Sequence, residues 1–437
     1  MADGRRSVTR MVAIASAAGL TAFAGAGGAM AAISGAAGPR AAALSGTWRT
    51  ARELPGIAAL NKGGFAEVKS VSCSSPGNCS AGGSYTDGSR RTQAFIVTER
   101  KASWRAAIEV PGTAALNLNG GDAAINSVSC ASPGNCSAAG YYSDHGFQAF
   151  VVREVDGVWR KAIEVPGSAA LNTGGTALLN SVSCAKPGNC SAGGYYLAGG
   201  TRYEPFVVSE VNGTWHKAIK VPGIFSRPAN GHVGPTAQVS SVSCVSAGNC
   251  SIGGGYYDSA NIQAFVGSEV NGKWRKAVKV PGTGVLNKGE AQIISVSCGS
   301  AGNCGAGGWY TDSRGFEQLM VVNEVNGSWH KALEVPGTAA LNKGDFAQVS
   351  SVSCASAGSC SAGGWYTDSA DISQPFVVSE VEGTWHKAIK VPGITALYKG
   401  GGATISSLSC ASPRNCSALG SYNDKSKRQQ LFAVRKT

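Results

Sequence analysis

Fourteen cysteines in this chain fall into seven pairs, and within each pair five residues separate one Cys from the next. The pairs are Cys73 with Cys79, Cys130 with Cys136, Cys184 with Cys190, Cys244 with Cys250, Cys298 with Cys304, Cys354 with Cys360, and Cys410 with Cys416. Each lies in a copy of Ser-Val-Ser-Cys-Ala-Ser-Pro-Gly-Asn-Cys-Ser-Ala, best preserved at residues 127–138. A unit recurring seven times at 54–60 residues overrides the length-based expectation of two or three domains, because each unit of a repeat array is one supersecondary element.

Between successive pairs the sequence reads as four short strands. In the fifth unit these are 291–298, 304–310, 318–325 and 328–335, each rich in β-branched or aromatic residues and bounded by turn formers. Asn212-Gly213, Asn271-Gly272, Asn326-Gly327 and Asp156-Gly157 join the third strand to the fourth. Such dipeptides mark two-residue hairpins in which both turn positions need positive φ. The fourth strand, Trp near its start and Val-Pro-Gly at its end, also stands alone at 47–56, before the first cysteine pair. The chain ends on a third strand at 430–435. The count balances if the N-terminal fragment completes the last unit, so the expected fold is all-β: a seven-bladed β-propeller of four-stranded antiparallel blades, its ring closed by the N-terminal strand joining the last blade.

Strand alternation then sorts the loops. The Cys-to-Cys turn and the Asn-Gly turn share one face of the disk. The opposite face carries the blade-to-blade connections, such as 60–64 and 341–345, and the loops after the second strands.

A basic start with Arg5, Arg6 and Arg10, an Ala/Gly-rich apolar run at 11–32 and A-x-A-like sites read as an export leader over 1–43, the propeller occupying 44–437. An even cysteine count at fixed spacing fits an oxidising compartment. Secreted localisation and structural disulfides are therefore expected. A metal centre is not, since two Cys per blade with only 5 His make no four-ligand cluster. Net charge is +12, falling to +9 without 1–43, which holds four Arg and one Asp. The basic residues form a stripe on the fourth strands (Arg160-Lys161, His216-Lys217, Arg275-Lys276, His330-Lys331, His386-Lys387). Lysine on an exposed edge blocks sheet-to-sheet pairing, the preferred reading over a nucleic-acid girdle. Glu154, Glu210, Glu269, Glu324 and Glu380 recur one per blade, whereas glycosidase chemistry needs two differently tuned carboxylates on one substrate. They are read as structural. The connection 224–238, with Arg227 and His232, is the one marked asymmetry.

The candidate ligand site lies on the loops after the second strands. Trp309, Tyr310 and Asp312, then Trp365, Tyr366 and Asp368, set an aromatic face beside a carboxylate, with the Asn342 amide nearby. Sugar rings stack on such faces and bond such polar groups, and repetition adds avidity. The competing reading packs each Tyr between blades and spends each Asp on its own turn.

The Ser-Cys-x-Ser-x-x-x-Cys-x-Ala-x-Gly units, followed by Phe-Val-Val and a Trp strand, resemble the repeat propellers of exported actinobacterial proteins from about residue 45 onward. That resemblance implies the fold and secretion and carries over no catalytic residue. The Gly-His…Trp-Asp signature of WD40 blades and the Ser-x-Asp-x-Gly-x-Thr-Trp box of sialidase-like propellers are both absent. The function expected is a secreted, non-enzymatic binding module, lectin-like, acting as a monomer without cofactor. Its partner is a cell-wall or extracellular polysaccharide or a protein, with no nucleic acid and no membrane span once the leader is removed. The alternatives are a structural or protein-interaction scaffold, and a polysaccharide hydrolase or lyase using the 224–238 loop.

Overall fold

The computed structural model describes residues 53–117, 121–200, 202–226, 237–258, 261–398, 401–426 and 429–436. Residues 1–43, read from sequence as an export leader, lie outside them, as do residues 44–52, where the N-terminal strand was expected, and Arg227 and His232. The chain is a seven-bladed antiparallel β-propeller. In each blade the sheet order follows the sequence, and the first strands of neighbouring blades lie side by side at the centre. In the fifth blade the strands are Ala291–Ser300, Asn303–Thr311, Glu317–Val325, Ser328–Trp329 and Leu333–Glu334.

The last two of these correct the expectation of one continuous fourth strand. Strand pairing breaks at His330-Lys331-Ala332 because the Ala332 N–H leaves the blade and donates to Pro281 O of the preceding blade at 2.7 Å. Five more junctions carry the same bond, for example Ala107 to Pro55 and Ala388 to Pro336. The basic stripe sits in these breaks, exposed. A second difference lies in the connections, read as loops. Most contain one helical turn, such as Thr113–Leu116 and Thr338–Leu341, entered from a left-handed glycine (Gly112, φ 89°; Gly337, φ 86°).

The hairpins behave as their residues demand. Asn212, Asn271 and Asn326 take φ of 48–50° with positive-φ Gly behind them. Each such turn bonds the Cys-to-Cys turn of its own blade, as in Gly327 N–H to Gly302 O at 2.8 Å, so both occupy one face. Connections bond the second-strand ends on the other face, as in Lys288 N–H to Thr311 O at 2.7 Å.

Every cysteine is in a disulfide with its partner from the sequence. Cys73 joins Cys79, Cys130 joins Cys136, Cys184 joins Cys190 and Cys244 joins Cys250. Cys298 joins Cys304, Cys354 joins Cys360 and Cys410 joins Cys416. Within each pair the two residues stand directly opposite across the first hairpin of their blade. Such a set points to an oxidising environment.

A feature hidden from the sequence reading is a bulge in every first strand, at Ile293/Ser295 in the fifth blade and at the matching place elsewhere. It explains the second glycine of the Ala-Gly-Gly run. A Cβ on Gly308 would lie 1.8 Å from Gln292 O, and the matching glycines in the other blades face the same carbonyl contact. The core lies between blades: Ala94 and Ile96 of the first pack with Ile125, Val128 and Phe150 of the second, and this cluster repeats around the ring.

Candidate functional site

Two adjacent positions end each second strand, and strand alternation sends them to opposite faces of the blade. The later one is Tyr in all seven blades: Tyr85, Tyr142, Tyr196, Tyr256, Tyr310, Tyr366 and Tyr422. Tyr310 and Tyr366 are buried, and Tyr310 donates its hydroxyl to Glu334 at 3.0 Å, as Tyr142 does to Glu164 at 3.1 Å. Burial, reinforced by Glu334, pushes the Tyr310 hydroxyl well above its ordinary range. Burial likewise lifts Tyr366 to about 12. These rings are inter-blade packing.

The loop carboxylates hold their own turns. Asp312 Oδ1 accepts the N–H groups of Arg314 (2.8 Å) and Phe316 (3.1 Å), and Oδ2 accepts the Gln318 amide at 3.1 Å. Burial alone would raise this carboxyl, but the bonds from Arg314 and the turn N–H groups outweigh it and hold it below the usual carboxylate range. Asp368 repeats the pattern with Ala370, Ile372 and Gln374. Asn342, also buried, donates to Glu317 O and to Gln318 Oε1, both at 3.0 Å.

The cysteines take no part in the candidate ligand surface. Cys79 of the first blade and Cys250 of the fourth show why. Both are buried, and their sulfurs are spent on Cys73 and Cys244. They sit at the start of their second strands, opposite Glu99 and Glu269, at the far end from the aromatic positions. Cys250 packs with Val242, Ile252 and Phe265 in the core between the third and fourth blades. Their role is the staple of the hairpin, and the ligand reading does not extend to them.

Of the seven candidate ligand residues, therefore, Trp309 and Trp365 keep uncommitted indole groups, and Asn342 keeps only a buried Oδ1 that has no partner among the described residues. Both tryptophans are half-buried, and neither indole N–H has a partner among the described residues. Most fourth-strand tryptophans contrast with them, although the Trp215 indole N–H is buried without a partner among the described residues. Trp274, Trp329 and Trp385 donate to Ser209, Ser268 and Asn323 of the preceding blade at 3.1, 3.2 and 2.9 Å. The same second-strand position holds half-buried Tyr141 and Tyr195 in the second and third blades, which the sequence reading passed over. The available signal was its spacing, five residues beyond the second Cys of each pair.

Register shows how the two aromatic pairs differ. Tyr141 meets Phe147 edge-on at 5.3 Å, and Tyr195 meets Tyr203 at 5.5 Å, each diagonal across the second and third strands. Trp309 stands opposite Leu319 and Thr311 opposite Glu317, so the residue diagonal to Trp309 is Glu317. For Trp365 it is Ser373. The fifth and sixth blades thus set an indole beside a polar group where the second and third set a phenol beside a ring.

Burial, then the charge of Glu290, lifts Glu317 from the ordinary 4.5 to about 7. A carboxyl raised in the folded state binds its proton more tightly there than in the unfolded chain. Its contribution to stability is therefore greatest in acid and is lost as pH rises from 4.5 to about 7. The buried inter-blade glutamates, also raised by burial, act in the same direction. Melting temperature is expected to fall between pH 5 and pH 7.5, and Glu317→Gln to flatten part of that slope. An unchanged slope in the variant would remove Glu317 from the account.

The repeated glutamates are buried between blades. Glu210 accepts from Arg153 at 2.8 Å, Glu269 from Ser209 at 2.8 Å and Glu324 from Ser268 at 2.6 Å. The asymmetric connection begins at Ile224, Phe225 and Ser226, and the Ser226 N–H donates to buried Glu204 at 3.1 Å. Lys220 Nζ reaches the same carboxylate at 2.8 Å. Glu204 stands where the other blades carry Gln, a substitution visible in Tyr-Glu-Pro-Phe against Phe-Gln-Ala-Phe. Among the described residues the one ligand-like grouping is Cys298, Cys304 and Glu324, whose two sulfurs are joined in a disulfide. No helix among them is long and apolar enough to cross a membrane.

No protein-family model matches the chain, and no curated protein matches it. Solved structures do. Chaetomium thermophilum Sqt1, bound to the N-terminus of the ribosomal protein L10, aligns at TM-score 0.45 and 13% identity over 81% of this chain and 82% of its own. The Hadza microbial sialidase Hz136 aligns at 0.38 and 10% over 74% and 65%. A Mycobacterium tuberculosis puromycin-hydrolyzing peptidase aligns at 0.36 and 12% over 84% and 51%. Proteins this distant transfer no function.

Proposed function

We propose that this chain is an exported, non-enzymatic binding propeller that takes a polysaccharide on its loop face through Trp309 and Trp365. The observation that carries this reading is the pair of half-buried indoles in adjacent blades, neither N–H having a partner among the described residues, on a face whose candidate carboxylates Asp312 and Asp368 are committed to their own turns. An apolar ring face with a donor at its edge suits a sugar, whose C–H faces stack while its hydroxyls accept. Two such positions on one rigid disk engage successive residues of a polymer, so the second contact forms at high effective concentration. Export is supported by the leader-like N-terminus and by seven disulfides. The inter-blade glutamates give no support to a hydrolase, since each is already bonded inside the core.

The test is binding of the oxidised protein to insoluble cell-wall polysaccharides and soluble oligosaccharides, followed by tryptophan fluorescence. Trp309→Ala and Trp365→Ala are each expected to weaken binding about tenfold, roughly 1.4 kcal/mol, with an unchanged melting temperature. Equal affinity of wild type and double variant would sink the assignment to this face. An absence of any glycan ligand would favour the scaffold reading.

A further inference from the structure

The repeat departs from its own pattern at two positions that meet in one cavity. Between the second and third blades, on the face of the Cys-to-Cys and Asn-Gly turns, lies a cavity of about 210 Å³ whose lining includes Ser137, Arg153, Lys186, Pro187 and Gly213. Lys186 stands in the Cys-to-Cys turn of the third blade, where the other six blades carry Ser. Arg153 stands near the end of a third strand, at a position held elsewhere by Thr98, Ser209, Ser268, Asn323 and Ser379, and by Arg435 in the seventh blade.

At other junctions the Arg153 position has two tasks. One is to donate to a buried glutamate of the next blade, as Ser209 does to Glu269 at 2.8 Å and Ser268 to Glu324 at 2.6 Å. The other is to accept the indole N–H of that blade's fourth-strand Trp. Thr98 accepts from Trp159 at 3.0 Å, and Ser209, Ser268 and Asn323 do the same for Trp274, Trp329 and Trp385. A hydroxyl or a carboxamide can do both, whereas a guanidinium has five N–H donors and no acceptor. Arg153 accordingly donates through Nη1 to Glu210 Oε1 at 2.8 Å and to Gly213 O, and the Trp215 N–H stays buried without a partner among the described residues. An orphaned buried donor works against folding. Arg153 is therefore a poor choice for packing this junction.

We propose that this cavity is an oxyanion site, in which the carboxylate or phosphate group of an acidic ligand lies between Lys186 Nζ and the Nε–Nη2 edge of Arg153. What Arg153 brings is uncommitted donors: its Nε and Nη2 have no partner among the described residues. Lys186, exposed and lining the same cavity, has none either. The other charges there cancel, since Glu210 pairs with Arg153 and Glu154 with Arg100, both at 2.8 Å. Lys186 is then the one uncompensated charge among the described residues lining the cavity, and it is positive. A guanidinium edge presents two parallel N–H groups, which a carboxylate or phosphate accepts together, and a lysine beside it adds a point charge. The volume, about 210 Å³, is below the roughly 300–1,000 Å³ of pockets that enclose drug-sized molecules. The cavity thus takes a single charged group while the rest of the ligand stays outside. It lies on the opposite face of the disk from Trp309 and Trp365, so it is a second site, independent of the glycan reading.

The test is calorimetric titration of the full oxidised chain with inorganic phosphate and with digalacturonate, at low ionic strength where exposed charges are least screened. One equivalent is expected to bind. Lys186→Ser is expected to weaken it about fivefold, as for the loss of one partly exposed charge contact, with the melting temperature unchanged. Arg153→Ser is expected to abolish binding and yet to hold or raise the melting temperature, because its hydroxyl supplies the acceptor that Trp215 lacks, as Ser209 does for Trp274. Lys288→Ser, at an exposed lysine on the other face, is the control and is expected to bind as the wild type does. Binding of phosphate alone supports the site and gives it a phosphate-bearing ligand, and binding of digalacturonate alone supports it and gives it a uronate. Binding of neither probe overturns the proposal. So does an equal loss in Lys186→Ser and Lys288→Ser, or an Arg153→Ser variant that melts lower with its affinity intact.

Discussion

Denatured, reduced and returned to native buffer with excess dithiothreitol, the chain is expected not to regain its sheet signal at 37 °C, whereas the oxidised chain regains it. Each disulfide closes a hairpin loop of five intervening residues, which in the chain-entropy description stabilises by about 2 kcal/mol. Seven of them amount to on the order of 10 kcal/mol, comparable to the whole net stability of an ordinary folded domain. The bridges are placed to deliver that gain, because each joins residues already opposite in register, as Cys298 is to Cys304. Most of the sulfurs are buried, so reductant added to the folded protein acts slowly and the comparison has to start from the unfolded chain. Circular dichroism against temperature is the readout. A reduced chain melting within a few degrees of the oxidised one would mean that inter-blade packing carries the fold without its bridges.

Gly308→Ala is expected to cost about 3 kcal/mol or more and to lower the melting temperature by roughly 5–10 °C. The added Cβ would lie 1.8 Å from Gln292 O, and that oxygen belongs to a bulged backbone held between two neighbouring first strands. No side-chain rotation relieves the contact. Gly305→Ser is the matched control. Its Cβ meets side chains rather than backbone, the Cys360 and Cys354 sulfurs at 3.0 and 3.1 Å and Val352 Cγ1 at 3.5 Å, and the other six blades carry Ser there. A tolerated Gly308→Ala would show that the bulge can slide, and with it the register of the first hairpin.

Much of the architecture was written in short-range chemistry. Positive φ at Asn326 and Gly327, the opposition of Cys298 and Cys304, and the turn around Asp312 all arise within a few residues of sequence, so local residue types suffice to specify them. Counting fourth strands pointed to the same seven blades that the structure contains. Four things were settled only by tertiary contacts. The break after Trp329 follows from the Ala332 bond to Pro281, a partner about fifty residues away. The first-strand bulge lies in the pairing of the first and second strands and sets Gln292 O against Gly308, a contact between strands that no local residue pattern announces. Glu324 owes its role to Ser268 and Ser251 of the preceding blade.

The fourth is the candidate site itself. A period of two tells that Trp309 and Tyr310 face opposite ways, yet both faces of a blade meet another blade, so hydrophobicity alone cannot say which ring reaches solvent. Packing of Tyr310 beside Glu334, and the absence of any partner for the Trp309 indole among the described residues, decided it. Local turns and bridges make the blade, which is why residue types alone were enough to read it. Which side chains the ring leaves uncommitted depends on neighbours one whole repeat away, so that part became visible only with the blades packed side by side.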